Sequence, residues 1–595
     1  MVHFNEVMDI SMLIKKSRKL KNNDNAKLKI AILSSYSIQF FVFVIRYLLL
    51  EEGIEANIYE GEYDGIAMDI LDDNSPLYSF HPDIVIILPH YTDIKEYPPL
   101  FCDKQIQQSY VDNQVCYYTS IWNKLSKLEN CYILQANYVT PNVTQLGNIE
   151  ASYSFSKSSY VKQLNNALVE SRSSNVSFID LDSLASNFGK NSWFDYSAYF
   201  MNKSGFNMDY LGVVAQTFVR QICALRGKVR KCLVLDLDNT LWGGTVGDLG
   251  YENIMLDPNN ALGEAYLFFQ QYVLDLKDRG VILAICSKND LEVAKSPFLH
   301  NVNMRIKLED ISYFCANWDD KATNIKNIAR ELNIGLDSMV FFDDNPAERE
   351  IVQTYLPEVL VIDVPDSPEG YALALERERP FDWVEITRED LVRTQSYFIN
   401  TQRRKMEASF VNYDEYLMSL EMQGKWELVD TNSVERFTQL INKSNQFNLR
   451  TRRYTESDIV KLSESQDNRC IAIKLKDKFS SYGIISCIIL KKYGEVCFID
   501  TWLMSCRVLK RGVEQFAFRA VLECARSLEC TCIVGEYIPT RKNNMVKDFY
   551  EKLGFVAVNN NKVGEIQAEE NGTLYQLEGL DSCKVKEIYI ENGEV

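Results

Sequence analysis

Six side chains in the middle of the chain have the types and the order that phosphoryl transfer would require. Asp236 and Asp238 stand one residue apart at the end of the apolar run Cys232–Leu235; Ser287 ends a second such run, Asp343 and Asp344 follow a third, and Lys321 opens a helical stretch between them. Asp236, Asp238, Asp343 and Asp344 are candidate ligands for Mg²⁺, which takes a few carboxylates and keeps several waters. A carboxylate held beside a cation and a lysine can attack phosphorus and form an aspartyl-phosphate. A second carboxylate two residues on can protonate the leaving group and later activate water. Ser287 and Lys321 can neutralise phosphoryl oxygens as charge moves in the transition state.

Such residues must be carried on the ends of strands. The runs Cys232–Leu235, Val281–Cys286 and Met339–Phe342 have the length and composition of buried parallel strands, and helical stretches separate them. Open α/β sheets bind their ligands at the carboxyl ends of such strands. Asp236 and Asp238 cannot both face one site from a regular strand, so the chain must turn there, as Asn239, Gly243 and Gly244 permit. About forty-five residues separate Thr240 from Ser287, enough for a β-flap and one helix but not for a large cap domain. A site of that kind is open to a macromolecule or a long tethered arm.

The same alternation of strand and helix begins at Lys29 and runs to about Arg220, predicting a first α/β domain over 1–225. The candidate phosphoryl domain follows over 226–420, a doubly wound parallel sheet ending in a charged helical stretch. Runs of antiparallel strands with helices between them predict an α+β domain over 421–595. The formal net charge of −18 argues against wholesale nucleic-acid binding, so an anionic partner must meet a local basic patch. Most of the fifteen cysteines fall singly in apolar runs, which fits reduced thiols in the cytoplasm. The apolar stretch Ile30–Leu50 is broken by Ser34, Ser35, Ser37, Gln39 and Arg46; it reads as strand, turn and helix, with no membrane-spanning or targeting segment.

The order Asp-x-Asp-x-Thr, Ser, Lys, Asp-Asp resembles that of the haloacid-dehalogenase-like (HAD) phosphotransferases. The resemblance implies Asp236 as nucleophile, Asp238 as acid/base, Thr240 as the residue shaping the loop, and Ser287 and Lys321 as phosphate-holding groups; Asp343 or Asp344 would complete a metal site with Asp236. Leu235–Gly244, Ile285–Asn289, Asn317–Lys321 and Phe342–Arg349 are similar to the FkbH-like proteins of polyketide pathways, subfamily IIIC of that superfamily. The likeness continues through Ser444–Asn448 and Asp500–Leu509. That family implies a glyceryl transferase/phosphatase. It takes the glyceryl group of 1,3-bisphosphoglycerate, removes phosphate and loads the group as a thioester on the phosphopantetheine arm of an acyl carrier protein. The alternatives are a HAD-type phosphatase acting on a phosphoprotein or small phosphate ester, and a non-catalytic carrier-protein-binding scaffold.

The third domain resembles the GNAT acetyltransferase fold, whose cofactor loop cradles a pyrophosphate with backbone N–H groups at a helix N-terminus. Arg507, Lys510, Arg511 and Gly512 occupy that loop here, with Lys510 where a glycine is expected, and would bind a phosphopantetheine phosphate. Arg450, Arg452 and Arg453 either add to a basic surface or form a solvated helix face. Cys506, beside Arg507 and before a helix N-terminus, is the candidate acyl acceptor; Cys286, next to Ser287, is the alternative, and either can instead be a buried small hydrophobe. The first domain looks like a degenerate SGNH-hydrolase fold whose first strand ends in Ser34-Ser35-Tyr36-Ser37. Its last part holds none of the four histidines, His3, His81, His90 and His300, so the domain is expected to be catalytically silent and to serve packing or carrier-protein docking.

Overall fold

Runs of apolar, β-branched residues bounded by polar turns become the strands of three main sheets. The computed structural model describes residues 10–20, 22–386, 410, 412–444, 446–505, 508–540, 542–559, 562–580, 585 and 589–593. The chain divides into two compact units, Met1–Cys223 with Arg453–Val460, and Ala224–Arg452 with Lys461–Val595.

The first unit holds β1 (Leu28–Ser34), β2 (Ala56–Glu60), β3 (Ile84–Leu88), β4 (Tyr132–Ala136) and β5 (Val176–Ile179). All are parallel, in the order β2-β1-β3-β4-β5. Every residue of β3 is buried, as the continuous apolar run of a strand covered on both faces requires. After β1 the chain turns and enters the helix Gln39–Glu51. Among the described residues no helix is long and apolar enough to cross a membrane.

The second unit contains a parallel sheet of β6 (Cys232–Leu235), β7 (Ile282–Ser287), β8 (Tyr313–Ala316), β9 (Met339–Phe342) and β10 (Leu360–Val361), in the order β10-β9-β6-β7-β8. Alternate residues of β6 serve opposite faces: Leu233 and Leu235 pack with Phe269 and Val273 of the helix Ala261–Asp278, while Cys232 and Val234 pack with Ile325 and Ile328 of the helix Lys321–Leu332. From β6 the chain moves outward through β7 and β8, then crosses back to β9 and leaves through β10. The crevice between the carboxyl ends of β6 and β9 is therefore the topological switch point, where sheets of this kind bind ligands. The expected β-flap reduces to single bridges, Asp238 with Trp242 and Gly243 with Met255. Much of the expected charged helix, 387–409 and 411, lies outside the described residues.

The third sheet is built from β11 (Met422–Leu428), β12 (Asn468–Lys476), β13 (Ser481–Tyr493), β14 (Val496–Met504), β15 (Cys532–Tyr537) and β16 (Val556–Ala557). A separate hairpin, β17 (Lys562–Val563) and β18 (Ile566–Gln567), precedes β19 (Thr573–Glu578) and β20 (Ile590–Asn592) of the same sheet. The order is β16-β19-β15-β14-β13-β12-β11-β20, antiparallel except at β14/β15 and β11/β20. The helix Val513–Ser527 makes the crossover that the parallel step at β14/β15 requires. The α+β, GNAT-like reading of this part holds on that topology.

Candidate phosphoryl-transfer site

The residues after β6 turn as their composition demands. Asn239 takes a left-handed φ of 55°, and its side-chain oxygen accepts a hydrogen bond from Gly244 N–H at 2.8 Å. The Asn239 carbonyl accepts from the hydroxyls of Tyr371 (3.0 Å) and Tyr266 (3.4 Å), which fixes the loop against the core. Asp236 N–H donates to Phe342 O at 3.0 Å, so the first carboxylate stays in register with the end of β9.

Across the crevice the chain breaks from β9 into Asp343-Asp344-Asn345 and then the helix Pro346–Tyr355. Asn345 caps that helix by accepting from Ala347 N–H, and proline sits at its first turn, where no donor is needed. Arg349 Nη1 donates to the carbonyls of Asp343 (2.9 Å) and Asp344 (2.8 Å), tying the turn back onto the helix. Lys321 arrives from a third direction as the first residue of its helix, capped by Asp320, whose carboxylate accepts from Thr323 N–H. The turn before it is anchored by Asn317 N–H donating to Ser287 O at 3.2 Å and by paired amides of Asn317 and the buried Asn324.

These elements bring Asp236, Asp343 and Asp344 together so that one oxygen from each lies within 4.8 Å of the others. Lys321 Nζ is 2.8 Å from Asp236 Oδ1 and also donates to Asp343 Oδ2. Burial pulls the lysine's pKa down, but the two carboxylates outweigh it and hold the ammonium charged. Three hard oxygens at one crevice suit a small divalent cation. Thr240 is fully buried, and its hydroxyl donates to Asp344 Oδ1 (3.2 Å) and accepts from Asp344 N–H (3.3 Å), joining the two loops. Ser287 is buried at the end of β7, beside the same crevice.

Asp238 does not join the carboxylate group. Its Oδ1 accepts from Trp242 Nε1 (2.9 Å) and Val246 N–H (3.0 Å), and its Oδ2 from Asn289 Nδ2 (3.2 Å), so the expected side-chain metal ligand is turned to other work. Burial raises its pKa, outweighing those donors, and so favours the protonated form that a general acid needs. Asn289 was not foreseen; its place two residues after Ser287 was the available signal.

Asp343 is pushed up to about 7 by burial first and by the neighbouring Asp236 second, with Lys321 opposing. Its carboxyl therefore binds a proton on folding between its ordinary 3.8 and about 7. The sign follows: the cation-free protein loses stability as pH rises through that window. A divalent cation, binding the ionised carboxylates of the folded state alone, should reverse the loss. Thermal melts at about pH 5 and about pH 8, with and without Mg²⁺, check this; the cation should raise the midpoint far more at the higher pH.

The candidate acyl acceptors fare differently. Cys286 belongs to the core on the face of the sheet packed by the helix Lys321–Leu332, and burial pushes its thiol well above the ordinary range, so it is not poised as a nucleophile. Cys506 and Arg507 lie outside the described residues. In the candidate phosphate loop Lys510 has a φ of 66°, the conformation expected of the glycine it replaces, and Gly512 has a φ of 81°. Lys510 N–H donates to the Glu514 carboxylate at 3.1 Å, and Arg511 Nη1 donates to Tyr482 OH at 2.6 Å with Asp477 at 3.7 Å. Arg450 is not surface: it is buried among carboxylates. In the first unit, Ser34 donates to Leu88 O and Ser35 to the Asp93 carboxylate, whereas His90 Nδ1 lies 2.8 Å from Thr92 Oγ1. Among the described residues no cysteine is in a disulfide.

A model described as FkbH, N-terminal domain, matches residues 29–223. The N-terminal part of the protein BF1531 from Bacteroides fragilis, which contains a phosphatase domain complexed with Mg, is 32% identical over 65% of this chain and 100% of its own, with a TM-score of 0.58. The chain belongs to the FkbH-like family. Two further solved structures match this FkbH-like chain only in part. A domain from Methanocaldococcus jannaschii is 13% identical over 26% of this chain and 99% of its own, at a TM-score of 0.21. The ribosomal-protein-S18-alanine N-acetyltransferase of Escherichia coli is 10% identical over 26% of this chain and 94% of its own, at a TM-score of 0.20. No curated protein matches the FkbH-like chain.

Proposed function

We propose that this protein is a Mg²⁺-dependent phosphatase that acts as a glyceryl transferase, loading the glyceryl group of 1,3-bisphosphoglycerate as a thioester on an acyl carrier protein. The observation that carries the phosphatase part is Lys321 lying between Asp236 and Asp343, with Asp344 beside them, at the switch point of the sheet. Mg²⁺ held by Asp236, Asp343 and Asp344 would draw negative charge off the phosphoryl oxygens. Asp236 attacks phosphorus in line and carries the phosphoryl group as an acyl phosphate. Asp238, whose pKa burial raises, gives its proton to the leaving oxygen and then takes one from the water that releases phosphate. Lys321 and Ser287 hold the phosphoryl oxygens throughout. A glyceryl thioester carries neither phosphate of the donor: the ester phosphate leaves by this route, and the acyl phosphate is displaced by the acceptor thiol.

The first domain, with its SGNH-like appearance, is proposed to serve packing or carrier-protein docking. The test of the whole reading is incubation with 1,3-bisphosphoglycerate, Mg²⁺ and holo-carrier protein. A glyceryl mass increment on the carrier is expected, and its absence, with phosphate still released, reduces the function to a phosphatase. That second reading is favoured by the phosphate loop, where Lys510 N–H is taken by Glu514 and Arg511 by Tyr482. Asp238→Asn separates the acid role from binding. It should slow release of phosphate from an alkyl phosphate by about 10²–10⁴-fold. An acyl phosphate, whose leaving carboxylate needs no proton, should be affected far less, as parallel phosphate-release assays would show.

A further inference from the structure

In the third sheet, β14 and β15 pair in parallel only from Val496/Cys532 to Ile499/Gly535. Beyond that point they part, and the free edges offer backbone groups to which an extended ligand could add as a strand. The chain itself fills that opening. Asn448 lies antiparallel opposite Leu503, Leu449 N–H donates to Trp502 O (3.2 Å), and Met504 N–H donates to Phe447 O (3.1 Å). On the other side Ile538 N–H, one residue past β15, donates to Leu449 O at 2.9 Å. Asn543 Nδ2 donates to Asn448 O at 2.9 Å, and Phe447, Asn448 and Leu449 are all buried.

The next residue fastens this segment. Arg450 Nε is 2.7 Å from Glu536, and its Nη1 donates to the Asp500 carbonyl at 3.0 Å and lies 3.2 Å from Asp500 Oδ1. Asp500 and Glu536 are the first residues of β14 and β15 past the paired stretch, so the guanidinium bridges the two strands where they separate. The loop at the start of the helix Val513–Ser527 is also occupied from within, by the Glu514 carboxylate on Lys510 N–H.

We infer that Phe447–Leu449 is an internal strand occupying the place of an extended cofactor arm, so that neither coenzyme A nor a phosphopantetheine arm enters between β14 and β15. This holds whatever the substrate at Asp236. If the transferase reading is right, the acceptor thiol reaches the phosphoryl site without passing through the third sheet.

The test is titration of the full chain with coenzyme A and with free 4′-phosphopantetheine, combined with amide hydrogen exchange. No saturable binding is expected up to about 1 mM, with unchanged protection at Leu449, Met504 and Ile538. Binding that leaves those three amides unaltered places the nucleotide elsewhere and also supports the inference. Saturable binding that speeds their exchange tenfold or more overturns it. Glu514→Gln, which weakens the carboxylate's hold on the loop, should bind no better. Gain of coenzyme A binding in that variant would assign the exclusion to the loop and sink the internal-strand account. Phosphate release is not read in any of these arms, so their failure is distinct from failure of the proposed function.

Discussion

Asp236→Asn is expected to lower phosphate release by at least about a thousandfold, equivalent to about 4 kcal/mol of transition-state stabilisation. The amide has the shape of the carboxylate but neither attacks phosphorus nor brings a full charge to the cation. Lys321 keeps its second partner, Asp343, so the crevice should stay assembled. The cation-free variant should melt no lower than the parent, because the like charge that helps to raise Asp343 has gone. Steady-state assays with a phosphate monoester and a thermal melt make the comparison. A variant retaining a tenth of the activity would remove Asp236 from the nucleophile's role.

Arg450→Met should destabilise the second unit by about 3–5 kcal/mol, the cost of leaving buried carboxylates without their ion partner. The side chains of Arg450, Asp500 and Glu536 are each less than 5% exposed, with values of 4%, 3% and 1%. Lys491, 3.1 Å from Asp500, and Arg452, at 3.7 Å, remain to moderate the loss at that carboxylate but not at Glu536. Arg450→Lys keeps the charge but not the fork that reaches Asp500, Glu536 and Glu569 together, and should fall between. Urea unfolding followed by the fluorescence of the fully buried Trp502 reads the difference. A loss below about 1 kcal/mol would mean that this network is worth no more than surface pairs.

The centre of the phosphoryl site was legible because each of its parts is local. An apolar run ending in Asp236, another ending in Ser287 and a third before Asp343 state both the strand and what lies at its end. Asp238 was read correctly in position and wrongly as a side-chain ligand, because its partners Trp242, Val246 and Asn289 depend on the path of the loop. β8 escaped notice: Tyr313–Ala316 is an edge strand of four half-buried residues with no alternation to mark it. The helix Lys104–Leu125 is faint in the sequence for the opposite reason. Its polar residues spread around the cylinder, and only Asp103, whose carboxylate accepts from Ile106 N–H, announces it. Arg450 looked like surface because nothing in a single stretch says that Asp500 and Glu536, far along the chain, will surround it.

The turn that delivers Lys321 has a consequence for how this chain can vary. Asn317 is fixed to Ser287 at one end and Asp320 caps the helix at the other, so Trp318 and Asp319 span a set distance. Each residue added to or removed from the following helix start would swing the ammonium by about 100° and move it about 1.5 Å along the axis. Length changes between Ser287 and Lys321 are therefore absorbed before Asn317 or not at all. The exposed turn Asp257–Asn259, between the Gly243–Met255 bridge and the helix Ala261–Asp278, has room to lengthen without disturbing the reaction centre.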